Sequence, residues 1–188
     1  MITLLLGGAR SGKSALAVAL ATAALGPVAF VATARADDDE LRARIAGHRH
    51  ARPSAWPTIE EPLDLPGLLA SIEAEWTIVV DCLTLWVANL LEAGHDDATI
   101  QAMATASASA AAARKGATIV VSNEVGSGIV PVVALARRYR DLLGRVNAAF
   151  AVQEAFLVVA GRALRLEASD AIVARWHEAG LEGRAGSW

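Results

Sequence analysis

An apolar run, Ile2-Thr3-Leu4-Leu5-Leu6, opens directly into Gly7-Gly8-Ala9-Arg10-Ser11-Gly12-Lys13-Ser14, and Ala15-Leu16-Ala17-Val18-Ala19-Leu20 follows. The order is strand, glycine-rich loop and helix, and the loop has the spacing G-x-x-x-x-G-K-S. It aims successive backbone N–H groups and a helix N-terminus at one point, an arrangement that suits a polyphosphate. Gly7 and Gly12 permit tight turns and close backbone approach, Lys13 supplies a cation for β and γ phosphates, and the Ser14 hydroxyl can hold Mg2+. A plain glycine turn ahead of a helix is the blander reading; the intact motif and its flanks favour a phosphate loop.

A chain of 188 residues suffices for one domain with one core. Its hydrophobic content of 54% is swollen by alanine. Only the stretch between Lys13 and Arg35 is uncharged for the roughly 18 residues that a membrane span needs, and Gly26-Pro27 splits it, so membrane insertion is not expected. Met1 leads straight into the first apolar run, with no basic stretch and cleavage site, so a cytoplasmic enzyme is the default expectation. The net charge is −3 and 15 of the 17 basic residues are Arg, which gives no broad positive field for nucleic acid. Cys82, the single cysteine, excludes an internal disulfide and a multi-cysteine zinc site and reads as a small buried hydrophobe.

Along the chain, short β-rich runs alternate with helical ones, the pattern of parallel strands joined by helical crossovers. Strands are expected over Ile2–Leu6, Val28–Thr33, Thr77–Asp81, Thr118–Ser122 and Ala155–Ala160, the last turning back through Gly161 into Ala163–Leu166. Helices are expected over Lys13–Ala24, Asp37–His50, Asp64–Ala74, Thr84–Glu92, Asp97–Lys115 and Pro131–Phe150. The β runs are mostly apolar rather than alternating, so both sheet faces should be covered. The Ala-rich segment Ala102–Ala113 favours helix but offers little bulk, and reads as a peripheral cover. A short helix over Ala168–Ala179 would pack on the body or on a neighbouring subunit.

Three further segments carry chemistry. Val79-Val80-Asp81-Cys82-Leu83-Thr84 ends an apolar strand in a carboxylate, where Asp81 either orders a metal beside Ser14 or caps the following helix. The block from Ala32-Thr33-Ala34-Arg35 through the acidic run Asp37–Glu40 to His48-Arg49-His50-Ala51-Arg52 combines acids suited to a helix start with histidines two positions apart. On a helix His48 and His50 diverge, so they cannot share one metal and at most one faces a nucleotide. Arg49 and Arg52 either bind phosphates or cap the helix. Asn123 and Glu124 stand at the carboxyl end of an expected strand, before Gly126-Ser127-Gly128, where open parallel sheets bind ligands; a structural turn is the alternative. Arg137, Arg140 and Asp141 form either a salt-bridged surface or an anion-facing wall.

Together these segments resemble a known family. Gly7 to Ser14, the block Arg44-Ile45-x-x-His48-Arg49-x-x-Arg52-Pro53-x-x-Trp56, Glu60-Glu61-Pro62-Leu63, Asp81 to Leu90, Asn123 to Pro131 and Tyr139 to Asn147 are similar to the bifunctional adenosylcobinamide kinase/adenosylcobinamide-phosphate guanylyltransferases of cobalamin biosynthesis. The resemblance spans residues 1 to about 166, which makes 1–166 the kinase/guanylyltransferase domain and 167–188 a C-terminal extension of it. It implies an α/β, single-domain RecA-like P-loop NTPase fold with a mostly parallel sheet and helices on both faces, and a homotrimer.

The resemblance also implies roles. His48 becomes the histidine that carries GMP, and Lys13 joins it as a catalytic residue. Nucleotide contacts fall on Gly7 through Ser14, on Ala32, Thr33 and Ala34, on Arg49, His50, Ala51 and Arg52, and on Glu60 and Asp81. Ser14 and Asp81 would hold Mg2+, GTP and ATP would be substrates, and Asn123 and Glu124 would touch the acceptor, adenosylcobinamide or its phosphate. One departure is Ala148, where the family usually has a polar residue. A kinase of another small metabolite, or a RecA-like nucleotide-dependent regulatory module, are the competing expectations; neither would form a covalent GMP adduct.

Overall fold

The computed structural model describes residues 1–35, 49 and 52–178. Seven strands form one sheet: β1 (Ile2–Gly7), β2 (Val28–Ala32), β3 (Thr58–Glu60), β4 (Thr77–Asp81), β5 (Thr118–Asn123), β6 (Glu154–Val159) and β7 (Arg162–Arg165). The helices in the described residues are α1 (Lys13–Ala23), α2 (Leu65–Ser71), α3 (Leu83–Glu92), α4 (Asp97–Ala113), α5 (Ala134–Phe150) and α6 (Ser169–Glu178). The helix expected over Asp37–His50 falls almost wholly outside the described residues.

The strand order is β3-β2-β4-β5-β1-β6-β7. Every pairing is parallel except the β6–β7 hairpin. The register sets Gly7 opposite Asn123 and Asp81 opposite Val121, so the carboxyl ends of β1, β5 and β4 lie side by side. Alternate side chains of the central strands enter two separate apolar layers, as a parallel sheet covered on both faces requires. Leu4, Ile78, Val80 and Val120 pack with α3, α4 and α5, whereas Leu5, Val79 and Val121 pack with Ala17 and Ala21 of α1. The small alanines of α1 let that helix lie close to the sheet and carry the phosphate loop directly over the end of β1.

Several expectations change. β3 was not anticipated: three residues between Pro57 and Pro62 offer no measurable alternation, and the strand exists by pairing with β2. α2 stops at Ser71 instead of Ala74, because the Arg114 guanidinium draws in the carbonyls of Leu69, Ile72, Glu73 and Trp76 at 2.7–3.1 Å. α4 is not peripheral. Ile100, Ala104, Ser107, Ala108 and Ala111 are buried, and the helix packs between α2 and α5, where small residues allow close approach. α5 begins at Ala134 rather than Pro131, Val133 being extended. α6 forms close to the expected bounds, yet none of its residues is buried within the chain. No described helix is long and apolar enough to cross a membrane.

Candidate functional site

The phosphate loop turns back on itself as its glycines permit. Gly12 has φ 98°, in the left-handed region that favours glycine, and Arg10 adopts φ 56°. A side chain on Gly7 would stand 2.5 Å from the carbonyl oxygen of Val158 and 2.6 Å from Ser11 Oγ, so the first glycine is required by space. α1 starts at Lys13 with Gly12 as its N-cap and no side-chain cap, which leaves its leading N–H groups for an anion. Lys13 Nζ donates to the carbonyl of Gly8 at 3.0 Å. Burial is the main influence on that ammonium and lowers its pKa, while Cys82 and the Asp81 carboxylate oppose the shift.

A cavity of ≈ 620 Å³ opens beside this loop, in the range that encloses one drug-sized ligand. Ala9, Arg10, Ser11, Gly12, Lys13 and Ser14 form one wall. Ala32, Ala34, Glu60 and Asp81 come to it from the ends of β2, β3 and β4 and the residues just beyond, while Arg49, Arg52 and Asn123 complete the anticipated set. Asp81 ends β4, and the Asp81–Cys82 peptide is cis. The N-cap of α3 is Cys82, not Asp81, which leaves the carboxylate on the cavity wall.

Arg52 is the most constrained cation of the site. It is buried, its guanidinium lies 3.7 Å from the centroid of the Phe30 ring, and its Nη2 donates to Thr58 Oγ1 at 2.7 Å. Burial first and the neighbouring Arg49 second lower its pKa, against an opposing pull from Asp81. Three charged groups thus face one space within reach of each other. On the other side, the Asn123 N–H donates to Thr84 Oγ1 at 2.9 Å and its carbonyl accepts from Asn147 Nδ2 at 3.1 Å. Asn123 Oδ1 is buried at a lining position and has no hydrogen-bond partner among the described residues.

Residues 3–166 match the family described as cobinamide kinase / cobinamide phosphate guanyltransferase. The chain belongs to this family. It is 46% identical over 152 residues to the bifunctional adenosylcobalamin biosynthesis protein CobP of Pseudomonas aeruginosa, covering 80% of this chain and 87% of that protein. It is 41% identical over 182 residues to the bifunctional adenosylcobalamin biosynthesis protein CobU of Escherichia coli, covering 89% of this chain and all of that one. The CobU protein of Salmonella typhimurium is 40% identical, with the same coverage. A solved structure of a prototypical ATPase from the type III secretion system of pathogenic bacteria shares the fold, with a TM-score of 0.57 at 10% identity, over 92% of this chain and 60% of that chain. The RecA-like P-loop architecture expected from the resemblance is therefore the architecture of the chain.

Within this family frame, some anticipated residues stand back from the cavity. Gly7 and Gly8 form the loop's entry without lining the space. Thr33 is fully buried and does not line it either; its hydroxyl donates to the Cys82 carbonyl at 2.7 Å and accepts from the Cys82 N–H at 2.9 Å. Glu124 accepts from the Gly126 N–H at 2.5 Å, within its own turn. His48, His50 and Ala51 lie outside the described residues. Three of the four basic residues of α5 are tied to acids: Arg138 and Arg145 both reach Asp97, and Arg140 reaches Asp141, each at 2.7–2.8 Å, whereas Arg137 turns to backbone carbonyls.

Phe30, Thr58, Cys82, Thr84 and Leu85 also line the cavity and were missed. A signal for the first two existed. Phe30 is two residues before Ala32 on the same face of β2, and the register sets Phe30 opposite Thr58 and Ala32 opposite Glu60. Period-two reading from Ala32 would have found Phe30, but Thr58 needed the unanticipated β3.

Proposed function

We propose that the chain phosphorylates adenosylcobinamide on its aminopropanol hydroxyl with ATP or GTP, and then transfers GMP from GTP to the product. The observation that carries this reading is the position of Arg49. It follows His48 directly in sequence and lines the same cavity as Lys13, Ser14 and Asp81. An ordinary kinase needs the loop; an arginine at the same wall that follows a histidine directly in sequence suits a second transfer from the nucleotide.

In the first reaction Lys13 and the N–H groups of the loop and of α1 hold the triphosphate in line with the acceptor. The hydroxyl oxygen forms a bond to the γ phosphorus and gives up its proton to solvent, the bridge to the β phosphate breaks, and the nucleoside diphosphate leaves. Ser14 and Asp81 offer hard oxygen donors at the cavity wall, which fit Mg2+; when bound, the cation would offset phosphate charge. In the second reaction a neutral His48 attacks the α phosphorus of GTP and pyrophosphate leaves. A phosphate oxygen of adenosylcobinamide phosphate then displaces the imidazole, giving adenosylcobinamide-GDP. Splitting the transfer in this way avoids a direct encounter of two anions. Arg49 and Arg52 supply guanidinium groups suited to phosphate oxygens. By the same family reading the enzyme is cytoplasmic and homotrimeric.

Incubation with α-labelled GTP tests the proposal. An acid-labile protein adduct should form, vanish in His48→Ala and persist in His50→Ala, while His48→Ala keeps its kinase activity. Labelling that survives in His48→Ala and disappears in His50→Ala would overturn the assignment. Turnover of adenosylcobinamide with no adduct at all would leave only a kinase.

A further inference from the structure

Residues 124–133 join β5 to α5, and both ends of this arch are fixed to the cavity wall. At the first end Asn123 lines the cavity and is held by Thr84 and Asn147. At the second, the Tyr139 hydroxyl donates to the carbonyl of Thr84, itself a lining residue, at 3.1 Å. Between them Arg137 Nη1 donates to the carbonyls of Pro131 at 3.0 Å and Val132 at 2.6 Å. The arch is therefore a supported rim.

That rim carries an unusual surface. Ile129 is 98% exposed and Val132 94%, and Val130, Val133 and Leu135 are each more than half exposed. Single exposed apolar residues are ordinary, but five large ones within seven positions form a patch of the kind that marks a binding surface. The cavity beside it, ≈ 620 Å³, holds about one drug-sized ligand, and the nucleotide claims it through the phosphate loop. An acceptor built on a corrin macrocycle, with a nucleoside attached, cannot enter the same space. Only its slender aminopropanol arm can reach the phosphates, so the macrocycle must lie outside, on the rim. The methyl groups on its periphery, set between amide arms, can lie against a row of exposed Ile, Val and Leu side chains.

We propose that the arch at residues 129–135 is the seat of the acceptor's corrin macrocycle, delivering the aminopropanol arm past Asn123 to the triphosphate. This rests on the reading of the chain as an adenosylcobinamide kinase. Because Ile129 and Val132 are nearly free of contacts with the rest of the chain, replacing them leaves the fold intact.

The test is the double variant Ile129→Ser/Val132→Ser, assayed in the full chain for phosphorylation of adenosylcobinamide by GTP. The KM for adenosylcobinamide should rise on the order of tenfold, the loss expected from removing two buried apolar contacts. The KM for GTP, the calorimetric affinity for GTP and the melting temperature should stay at wild-type values. An unchanged corrinoid KM overturns the proposal. So does a fall in solution mass measured by light scattering, which would make the arch a contact between copies of the chain. Absence of adenosylcobinamide turnover in the wild-type protein would instead remove the underlying kinase reading, and the proposal with it.

Discussion

The backbone N–H of Gly161 donates to the carbonyl of Ser11 at 2.8 Å, so the turn of the β6–β7 hairpin rests on the phosphate loop. An edge element far along the chain thereby helps to fix the loop that begins it. The contact is tight: a Cβ on Gly12 would stand 3.2 Å from Gly161 Cα, so the hairpin turn would have to give way by a few tenths of an ångström.

Gly12→Ala should therefore damage nucleotide binding more than stability. The substitution forces an L-residue to φ 98° and presses a methyl group against the hairpin. In the free variant the loop should relax away from this conformation, so GTP must restore it at a cost of roughly 1–2 kcal/mol and its affinity by calorimetry should fall on the order of tenfold. Gly161→Ala is the control, because its added Cβ meets open space although φ is 73°. It should lower the melting temperature by about 2–4 °C, the effect of roughly 1 kcal/mol in a domain of this size, and change GTP affinity less than about threefold.

Sequence carried the site further than the sheet order. The phosphate loop and Asp81 were legible because local chemistry fixes them: glycines where the backbone must turn, a lysine at the helix start, a carboxylate at a strand end. Thr33 was placed in the right segment, but its burial depends on a partner 49 positions away, Cys82, which no local pattern reveals. The same holds for the placement of α4, where alanine content suggested a cover and close packing between α2 and α5 made it interior. The arch of exposed Ile and Val residues reads in sequence as a flexible glycine loop followed by helix; its exposure appears only once α5 starts late.

Thr33→Val should destabilise the chain while keeping its shape. The hydroxyl satisfies both the N–H and the carbonyl of Cys82, at 2.9 and 2.7 Å, and the isosteric methyl leaves these groups unpaired. Each unsatisfied buried group costs about 1–3 kcal/mol, so with two of them unpaired the melting temperature should drop by at least about 5 °C. Thr33→Ser, which keeps the hydroxyl, should recover most of the loss. A Val variant as stable as wild type would show that the hydroxyl is not what holds the Asp81–Cys82 corner.

Arg52→Lys should not behave as a conservative change. Lysine keeps the charge but loses the flat contact with Phe30 at 3.7 Å and the fork that reaches Thr58. The KM for GTP should rise on the order of tenfold in the Lys variant and further in Arg52→Ala. A double-mutant cycle with Phe30→Leu should give a coupling of about 1 kcal/mol in GTP binding, the usual scale for a partly desolvated cation–π pair. Strict additivity of the two substitutions would separate the stacking from the binding role.

Cys82 predicts a stability that depends on alkaline pH. Burial, with the Asp81 carboxylate second, pushes its thiol up to about 11, although part of the residue reaches the cavity surface. A raised folded pKa means that the native state keeps the proton while the unfolded chain releases it in the ordinary thiol range. Stability linked to this thiol is complete below that range and is lost as pH rises toward 11. Between pH 8 and pH 10 the wild-type chain should lose on the order of 1–2 kcal/mol relative to Cys82→Ala, read as a steeper fall in melting temperature. At pH 8 roughly one native thiol in a thousand is ionised, so alkylation should be slow until the chain unfolds. Rapid labelling of native protein at pH 8, or parallel melting curves for the two chains across this range, would place the thiol in an ordinary solvated state and refute the shift.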